Sequence, residues 1–409
     1  MRRTMMKIVG GFYGERMMHP HHEASFGSGL RAAAALAKFS DGIELFTYAT
    51  DAQRPELEAI ANTFNVSAHV SERAQAIEFD YLHGCVSPSL YPDFRKIEKA
   101  APIAVEGEIV VRYGMLEGSG TVDAKWAVYD PQSEVAPEPF GLNGSRAKHL
   151  ALVLNTSEAF ALSRTSDLES AAKVLLTGPG AATVVVIKAG VRGAYVCTKK
   201  KRSWVAPRKT PSVFALGSGD VFTAAFAFKW AHERQPSVEA AEFASLATAY
   251  YCANQYLPLP VNFEEEASRS YKRLQPRGTP GSVYLAAPFF SLGERWVVEQ
   301  LRNALCDQGF QVFSPLHDVG LGPPEHVAPA DLKGLRDASV VLACVDGADP
   351  GTVFEIGYAR AKSIPVVALS TAPGNDEDLT MIAGSKCVVV RDIASAIYRT
   401  AWILAERRK

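Results

Sequence analysis

An all-apolar run, Val340-Val341-Leu342-Ala343-Cys344, passes directly into Val345-Asp346-Gly347-Ala348-Asp349-Pro350-Gly351, and a helical pattern opens at Thr352 with Glu355 one turn in. A short continuous apolar run bounded by Asp-Gly and Pro-Gly reads as a strand buried on both faces, followed by a turn. A buried strand, a turn and a helix in succession place the turn at the carboxyl end of a parallel sheet, in the crevice where open α/β sheets bind ligands. Strand-like runs alternate with alanine-rich helical runs along the rest of the chain, so the predicted class is α/β with mostly parallel sheets.

At 409 residues the chain is too long for one ordinary core, and two domains are expected. After the helical run Ala240 to Asn254 come Leu257-Pro258-Leu259-Pro260, the acidic Glu264-Glu265-Glu266, and Gln275-Pro276-Arg277-Gly278-Thr279-Pro280-Gly281. Proline, glycine and charge clustered in this way mark a linker. The expected division is a first domain over 1–275, a linker over 276–282 and a second domain over 283–409.

With 43 basic and 44 acidic residues the net charge is -1, which gives no reason to expect nucleic-acid or anionic-membrane binding. Cys85, Cys197, Cys252, Cys306, Cys344 and Cys387 form no CxxC pair and read as reduced residues of a cytoplasmic protein. No apolar run approaches the roughly 18 residues of a membrane span, and the N-terminus carries no signal-peptide pattern. Neutral or phosphorylated small molecules remain as ligands.

Asp349 and Glu355 both fall in the crevice after the apolar strand, and paired carboxylates there suit acid, base or nucleophilic work on a sugar. The stretch Asp349-Pro-Gly351-Thr352-x-x-Glu355-x-Gly357 resembles the nucleoside 2-deoxyribosyltransferase family, as does the strand Ser282 to Phe290 with its Tyr284. The resemblance covers nearly all of residues 282 to 370 and implies a flavodoxin-like or Rossmann-like parallel-sheet domain. It implies roles too: Glu355 as the nucleophile, Tyr284 as its hydrogen-bond partner, Asp331 facing the nucleobase, and Asp349 and Gly351 at the sugar.

Cleaving an N-glycosidic bond builds oxocarbenium character at C1′, which a carboxylate beneath the ring traps while a second acid protonates the departing base. In related 5′-monophosphate N-glycosidases a phosphate-binding serine commonly stands where this chain has Asp349, so a free nucleoside is the expected substrate. Taken singly, these acids have plainer readings: Asp349 caps the helix, Glu355 complements its dipole and Asp331 starts a surface helix.

The second chemical signal is Gly217-Ser218-Gly219-Asp220, a glycine-flanked turn opening a helix. Such a turn aims backbone N–H groups and the positive end of the helix dipole at a phosphoryl group, and Asp220 stands where a base would take the acceptor's proton. It resembles the Gly-Ala-Gly-Asp signature of the PfkB/ribokinase family. Three further stretches agree: Gly27 and Gly29 leading into an alanine-rich helix, Asn155-x-x-Glu158, and the strand and turn through Lys188 and Gly190.

The resemblance spans about residues 6 to 257 and implies a three-layer α/β/α kinase domain. ATP with Mg2+ would be held at Gly217, Ser218, Gly219, Asn155, Glu158, Lys188 and Gly190, with substrate at Glu15, Gly27, Gly29 and Arg31. The chain departs from the family in carrying Arg31 where asparagine is usual, Phe214-Ala215 where Asp-Thr is usual, and Glu15 as the nearest replacement for an early aspartate. An arginine there suits an anionic or base-bearing ligand. His19-Pro20-His21-His22 lacks further ligands at metal spacing, so no protein-built metal site is expected, and Lys199-Lys200-Lys201-Arg202 reads as an exposed hairpin turn.

Together these readings describe a cytoplasmic bifunctional enzyme of nucleoside metabolism. It would combine N-glycosidic cleavage or (deoxy)ribosyl transfer through Glu355 with ATP-dependent phosphorylation of a nucleoside or pentose. The alternative is a nucleotide-sensing effector whose kinase fold controls nucleoside or NAD breakdown, for instance in phage defence. Homo-oligomerisation is expected by analogy with both families.

Overall fold

The computed structural model describes residues 5–40, 42–133, 136–178, 180–275, 281–372 and 379–407. The chain separates into two compact units, one of Met1–Leu82, Ser87–Thr210 and Phe214–Arg273, the other of His83–Val86, Pro211–Val213 and Leu274–Lys409. Of the expected linker 276–282, residues 276–280 lie outside the described residues.

The first unit opens with β1 (Met6–Val9), β2 (Gly14–Met17), β3 (His22–Ser25) and helix α1 (Gly27–Leu36), then β4 (Ile43–Ala49), α2 (Arg54–Thr63) and β5 (Val66–Glu72). Strands β6 (Glu78–Tyr81), β7 (Ser89–Tyr91), β8 (Ile103–Tyr113), β9 (Gly120–Asp130) and β10 (Arg146–Asn155) follow, then helices α3 (Thr156–Ser163) and α4 (Leu168–Thr177). The unit closes with β11 (Val184–Lys188), β12 (Ala194–Thr198), β13 (Arg202–Val205), α5 (Ser218–Ala227), α6 (Ser237–Asn254) and α7 (Phe263–Ser270).

Among the described residues, nine of these strands form one sheet in the order β13-β12-β11-β10-β9-β8-β1-β4-β5. It is parallel from β11 to β5, and only the β11–β12–β13 edge is antiparallel, with the basic run 199–202 at the β12–β13 turn. A second sheet, β3-β2-β6-β7, carries Glu15.

The main sheet is apolar on both faces, as a parallel sheet covered by helices must be. One face packs Ile8, Val111 and Val153 with the fully buried α1 and with α5 and α6; the other packs Val110, Leu152 and Val185 with α3 and α4. The approach of α1 to β1 depends on glycine, since a Cβ on Gly29 would stand 2.6 Å from the Gly10 carbonyl oxygen. Within the acid- and proline-rich stretch after Asn254, which precedes the expected linker 276–282, the chain forms a helix. Phe263 and Ala267, one helical turn apart, bury completely and draw 263–270 into helix α7, with Glu264, Glu265 and Glu266 left exposed.

The second unit holds β14 (Ser282–Ala286), α8 (Leu292–Asp307), β15 (Gln311–Phe313), α9 (Pro324–Asp337), β16 (Val340–Cys344), α10 (Pro350–Ala361), β17 (Val366–Leu369), α11 (Thr380–Gly384), β18 (Val388–Val390) and α12 (Ile393–Glu406). Its sheet runs β15-β14-β16-β17-β18 and every pairing is parallel. Numbered within the unit this is the order 2-1-3-4-5, whose topological switch lies between β14 and β16. The carboxyl ends of those two strands are therefore where a ligand crevice belongs. No helix of the described residues is long and apolar enough to cross a membrane.

Candidate functional site

The switch point of the second unit gathers four side chains from three elements. β16 ends in the turn 345–349, whose Asp346 accepts hydrogen bonds from Thr371 N (2.9 Å), Thr371 Oγ1 (2.5 Å) and Ala372 N (3.1 Å), tying the turn to the end of β17. Asp349 then caps α10, its carboxylate accepting from Thr352 N at 2.7 Å. A Cβ on Gly351 would lie 3.1 Å from that carboxylate, so glycine keeps room beside it. One turn into α10, Glu355 meets Tyr284 from the middle of β14, whose hydroxyl donates to Oε1 at 2.5 Å. Tyr284 is completely buried and stacks on Phe313 at 5.4 Å between ring centres.

Asp331 comes from α9, which starts at Pro324, so this acid sits within the helix and does not begin it. Proline is suited to the first helical turn, where its missing N–H costs no hydrogen bond. Gly334 lets α9 settle on Phe313, since a Cβ there would stand 2.5 Å from the ring. Asp331 Oδ1 is buried without a hydrogen-bond partner, and burial raises its carboxyl above the ordinary range.

Glu355 is pushed up to about 7: burial is the main cause, Asp331 and Asp349 add to it, and the Tyr284 hydrogen bond opposes it. Two carboxyl groups with elevated proton affinity, one of them facing a buried donor hydroxyl, can divide nucleophile and acid roles near neutral pH.

The elevated Glu355 has a consequence for stability. Its folded value lies above the 4.5 of the free group, so the unfolded chain loses the proton first and stability falls as pH rises from about 4.5 to about 7. Above that window the penalty is about 3 kcal/mol. Glu355→Gln is expected to raise the melting temperature of the second unit's transition by several degrees at pH 8 and hardly at pH 4. Thermal unfolding at the two pH values checks this, and an equal difference at both would refute it.

In the first unit, Arg31 on α1 binds Glu15 of β2 with both terminal nitrogens, Nη1 reaching Oε1 at 3.0 Å and Nη2 making a short pair to Oε2. Nη1 also donates to Asp220 Oδ2 at 3.0 Å, and Gln132 Nε2 donates to the other Asp220 oxygen at 2.5 Å. Tyr113 Oη holds the Asp220 carbonyl at 2.9 Å, and Glu15 Oε1 also accepts from Gly27 N at 3.1 Å. Gly217 precedes α5 with φ +73°, and a Cβ there would strike Arg31 Nε at 2.2 Å, so glycine is needed for both backbone and space.

Burial opposes the charge on Arg31, but Glu15, Tyr251 and Asp220 outweigh it and hold its proton more tightly than usual. The Asp220 carboxyl is raised by burial first, with Arg31 opposing and Asp130 and Glu15 adding to the rise. Phe214, where a polar pair was the family expectation, is buried edge-on to His22 at 5.0 Å.

Beside the α5 N-terminus stands Lys188 at the end of β11, its Nζ 3.3 Å from where a Gly219 Cβ would be. Lys188 donates to Asp130 Oδ2 at 2.5 Å, Thr223 Oγ1 donates to the same oxygen at 2.7 Å, and Asp130 Oδ1 is buried without a partner. Glycine amides plus an ammonium suit a phosphoryl group, and an unpartnered buried carboxylate oxygen suits its divalent cation. The residues present thus fit ATP and Mg2+. Ser218 is the first residue of α5, Asn155 and Glu158 form the capping box of α3, and Gly190 lies in the β11–β12 turn at φ +53°.

Sequence reasoning missed Asp130, Gln132, Thr223 and Asp346. A signal existed for Asp130 and Asp346, since each is an acid at or just past the carboxyl end of an apolar strand.

Residues 283–386 match the family model for nucleoside 2-deoxyribosyltransferase, and residues 146–256 that for the pfkB family carbohydrate kinase. No curated protein matches the chain. Among solved structures, an archaeal ribokinase-family nucleoside kinase from Methanocaldococcus jannaschii is 11% identical, with 65% of this chain and 98% of that one covered and a TM-score of 0.50. Ribokinase from Thermotoga maritima is 15% identical, with 65% and 99% covered and a TM-score of 0.46. Fructokinase from Vibrio cholerae, in a fructose, ADP and calcium-bound form, is also 15% identical, with 66% and 99% covered and a TM-score of 0.47. The first unit has a ribokinase-like α/β fold.

Proposed function

We propose that this chain, which joins a pfkB-type kinase domain to a nucleoside 2-deoxyribosyltransferase domain, cleaves or transfers the N-glycosidic bond of a nucleoside at Glu355 and phosphorylates a small hydroxyl acceptor at Asp220. The observation that carries the reading is the meeting of Glu355, Tyr284, Asp331 and Asp349 at one switch point. Glu355 attacks C1′ from below the sugar. Tyr284 keeps the attacking oxygen oriented, and Asp331, its free oxygen inside the site and its proton retained by burial, delivers that proton to the departing base. Water or a second base then releases the sugar from Glu355.

In the first unit the Gly217 to Gly219 amides and Lys188 hold the phosphoryl group. Bound MgATP supplies that group, and Asp220 takes the acceptor's proton. Incubating the protein with a panel of nucleosides and pentoses, with and without MgATP, and weighing every product tests both halves. Base release independent of ATP and ATP-dependent phosphorylation are the expected results. Absence of base release from every nucleoside would refute the first half.

Asp349 separates nucleosides from nucleotides. A carboxylate beside the sugar repels a 5′-phosphate, so the enzyme is expected to prefer nucleosides to their monophosphates. Asp349→Ser should relax that preference while keeping the α10 cap, with a stability change under about 1 kcal/mol because serine also caps. Kinetics on a matched nucleoside and monophosphate check it. Equal cleavage of the two by the wild type would contradict it.

A further inference from the structure

We infer that the phosphoryl acceptor of the first unit is an acid, a molecule with a carboxylate or phosphate close to its reacting hydroxyl, and that this acid group frees Asp220 by taking Arg31 from it. The inference rests on the kinase reading above and adds the class of acceptor.

Both Asp220 oxygens are engaged, Oδ2 by Arg31 and Oδ1 by Gln132. The Asp220 lone pairs that face Arg31 and Gln132 are taken, and the guanidinium lowers the carboxylate's proton affinity and with it its strength as a base. Release from Arg31 would restore that strength, and Arg31 decides which ligand can bring the release about. A neutral sugar or nucleoside would have to replace a charge-assisted hydrogen bond on the guanidinium with an ordinary one of about half its strength. Asp220 gives up its cation in either case, but an anion presents the guanidinium with an equivalent charge.

The division of Arg31's bonds favours this exchange. Glu15 takes both terminal nitrogens, whereas Asp220 shares only one of them. An incoming acid can therefore displace Asp220 while Glu15 keeps the guanidinium in place. Arg31 is held further by the Phe26 ring, 5.4 Å from its guanidinium carbon, and by passing over Gly217. It is thus a built receptor and not a surface side chain, its side chain being only 3% exposed.

Once released, Asp220 is a buried carboxylate flanked by Asp130 and Glu15, conditions that raise its proton affinity and suit it to general-base work. The step then balances. The hydroxyl oxygen bonds to the terminal phosphorus of ATP, the bond from that phosphorus to the bridging oxygen breaks with its electron pair leaving on ADP, and the hydroxyl proton passes to Asp220.

The test uses the full chain with MgATP and matched acceptors: ribose and a nucleoside as neutral probes, ribose 5-phosphate and ribonate as acidic ones. The wild type should favour an acidic acceptor in kcat/KM by about tenfold or more. The phosphate and carboxylate probes distinguish the two sources of charge. Because Arg31→Gln alone strands two buried carboxylates, the main variant is the charge-balanced Glu15→Gln/Arg31→Gln, and Arg31→Lys keeps the charge without the two-pronged geometry.

In the double variant the acidic-to-neutral ratio should collapse to within about threefold, and calorimetric binding of the preferred acidic probe should weaken by about tenfold or more. Arg31→Lys should fall between. Arg31-dependent binding of the acidic probe with no transfer to any acceptor would refute the kinase reading and uphold only Arg31 as the receptor for an acid. Equal use of neutral and acidic acceptors by the wild type, no binding of either acidic probe, or acidic binding that survives the double substitution would overturn the inference.

Discussion

Glu355→Ala is expected to lose N-glycosidic cleavage by about a thousandfold or more while the protein stays folded and the first unit keeps its ligands. The expectation follows from comparing what Glu355 does for chemistry with what it does for the fold. As a helical acid near the start of α10 it contributes about 0.3–1 kcal/mol through the dipole. Alanine leaves the Tyr284 hydroxyl without its acceptor, at about 1–3 kcal/mol, and removes a carboxylate whose ionisation costs about 3 kcal/mol at neutral pH. These terms largely cancel, so a lost activity would report chemistry and not unfolding.

Two further readouts belong to the same result. The wild-type rate should rise with pH through about 7, as Glu355 becomes ionised and nucleophilic. A 2-fluoro-2-deoxy nucleoside analogue should leave a covalent sugar on the peptide containing Glu355, because the fluorine slows both oxocarbenium-like steps and lets the intermediate accumulate. Full cleavage by the alanine variant, on a nucleoside that the wild type turns over, would reduce Glu355 to a helix-dipole residue.

What the chain disclosed before its structure depended on how local each feature is. The apolar run 340–344 and its Asp-Gly and Pro-Gly turns mark a buried strand and its crevice within a dozen residues, so the α/β class and the place of Glu355 and Asp349 could be read from spacing. The cap that Asp349 places on Thr352 is equally local. Tyr284 and Asp331 were reachable only through resemblance, because the separation of 71 positions from Tyr284 to Glu355 is closed by sheet order, which a string of residues does not display.

The Glu15–Arg31–Asp220 connection is a stronger case. Asp220 lies 189 positions from Arg31, and the three residues meet because a second-sheet strand and the N-termini of two helices converge. Sequence marked each position as functional and Arg31 as unusual. It gave no means of seeing that the three would bind one another. Helix α7 went unread for the opposite reason: the prolines before it and its three glutamates outweighed two apolar positions, Phe263 and Ala267, whose burial organises the segment.

Asp220→Asn is expected to cut phosphoryl transfer by about a hundredfold or more while nucleotide binding persists or tightens. The amide keeps an oxygen for Arg31 or Gln132 but has no useful basicity, so the acceptor proton has no destination as the new oxygen–phosphorus bond forms. The anion cradle is untouched, because Gly217 to Gly219 contribute backbone and Lys188 remains paired with Asp130. One fewer negative charge at the α5 N-terminus also lowers the repulsion felt by a triphosphate. The substitution should cost little stability, since Glu15 retains its two bonds to Arg31 and a buried carboxylate with raised proton affinity is replaced by a neutral group. Steady-state phosphorylation of the preferred acceptor, together with calorimetric nucleotide binding, decides the matter. A variant that phosphorylates within about twofold of the wild type would exclude a general-base contribution from Asp220, and transfer would then rest on the cradle and Lys188 alone.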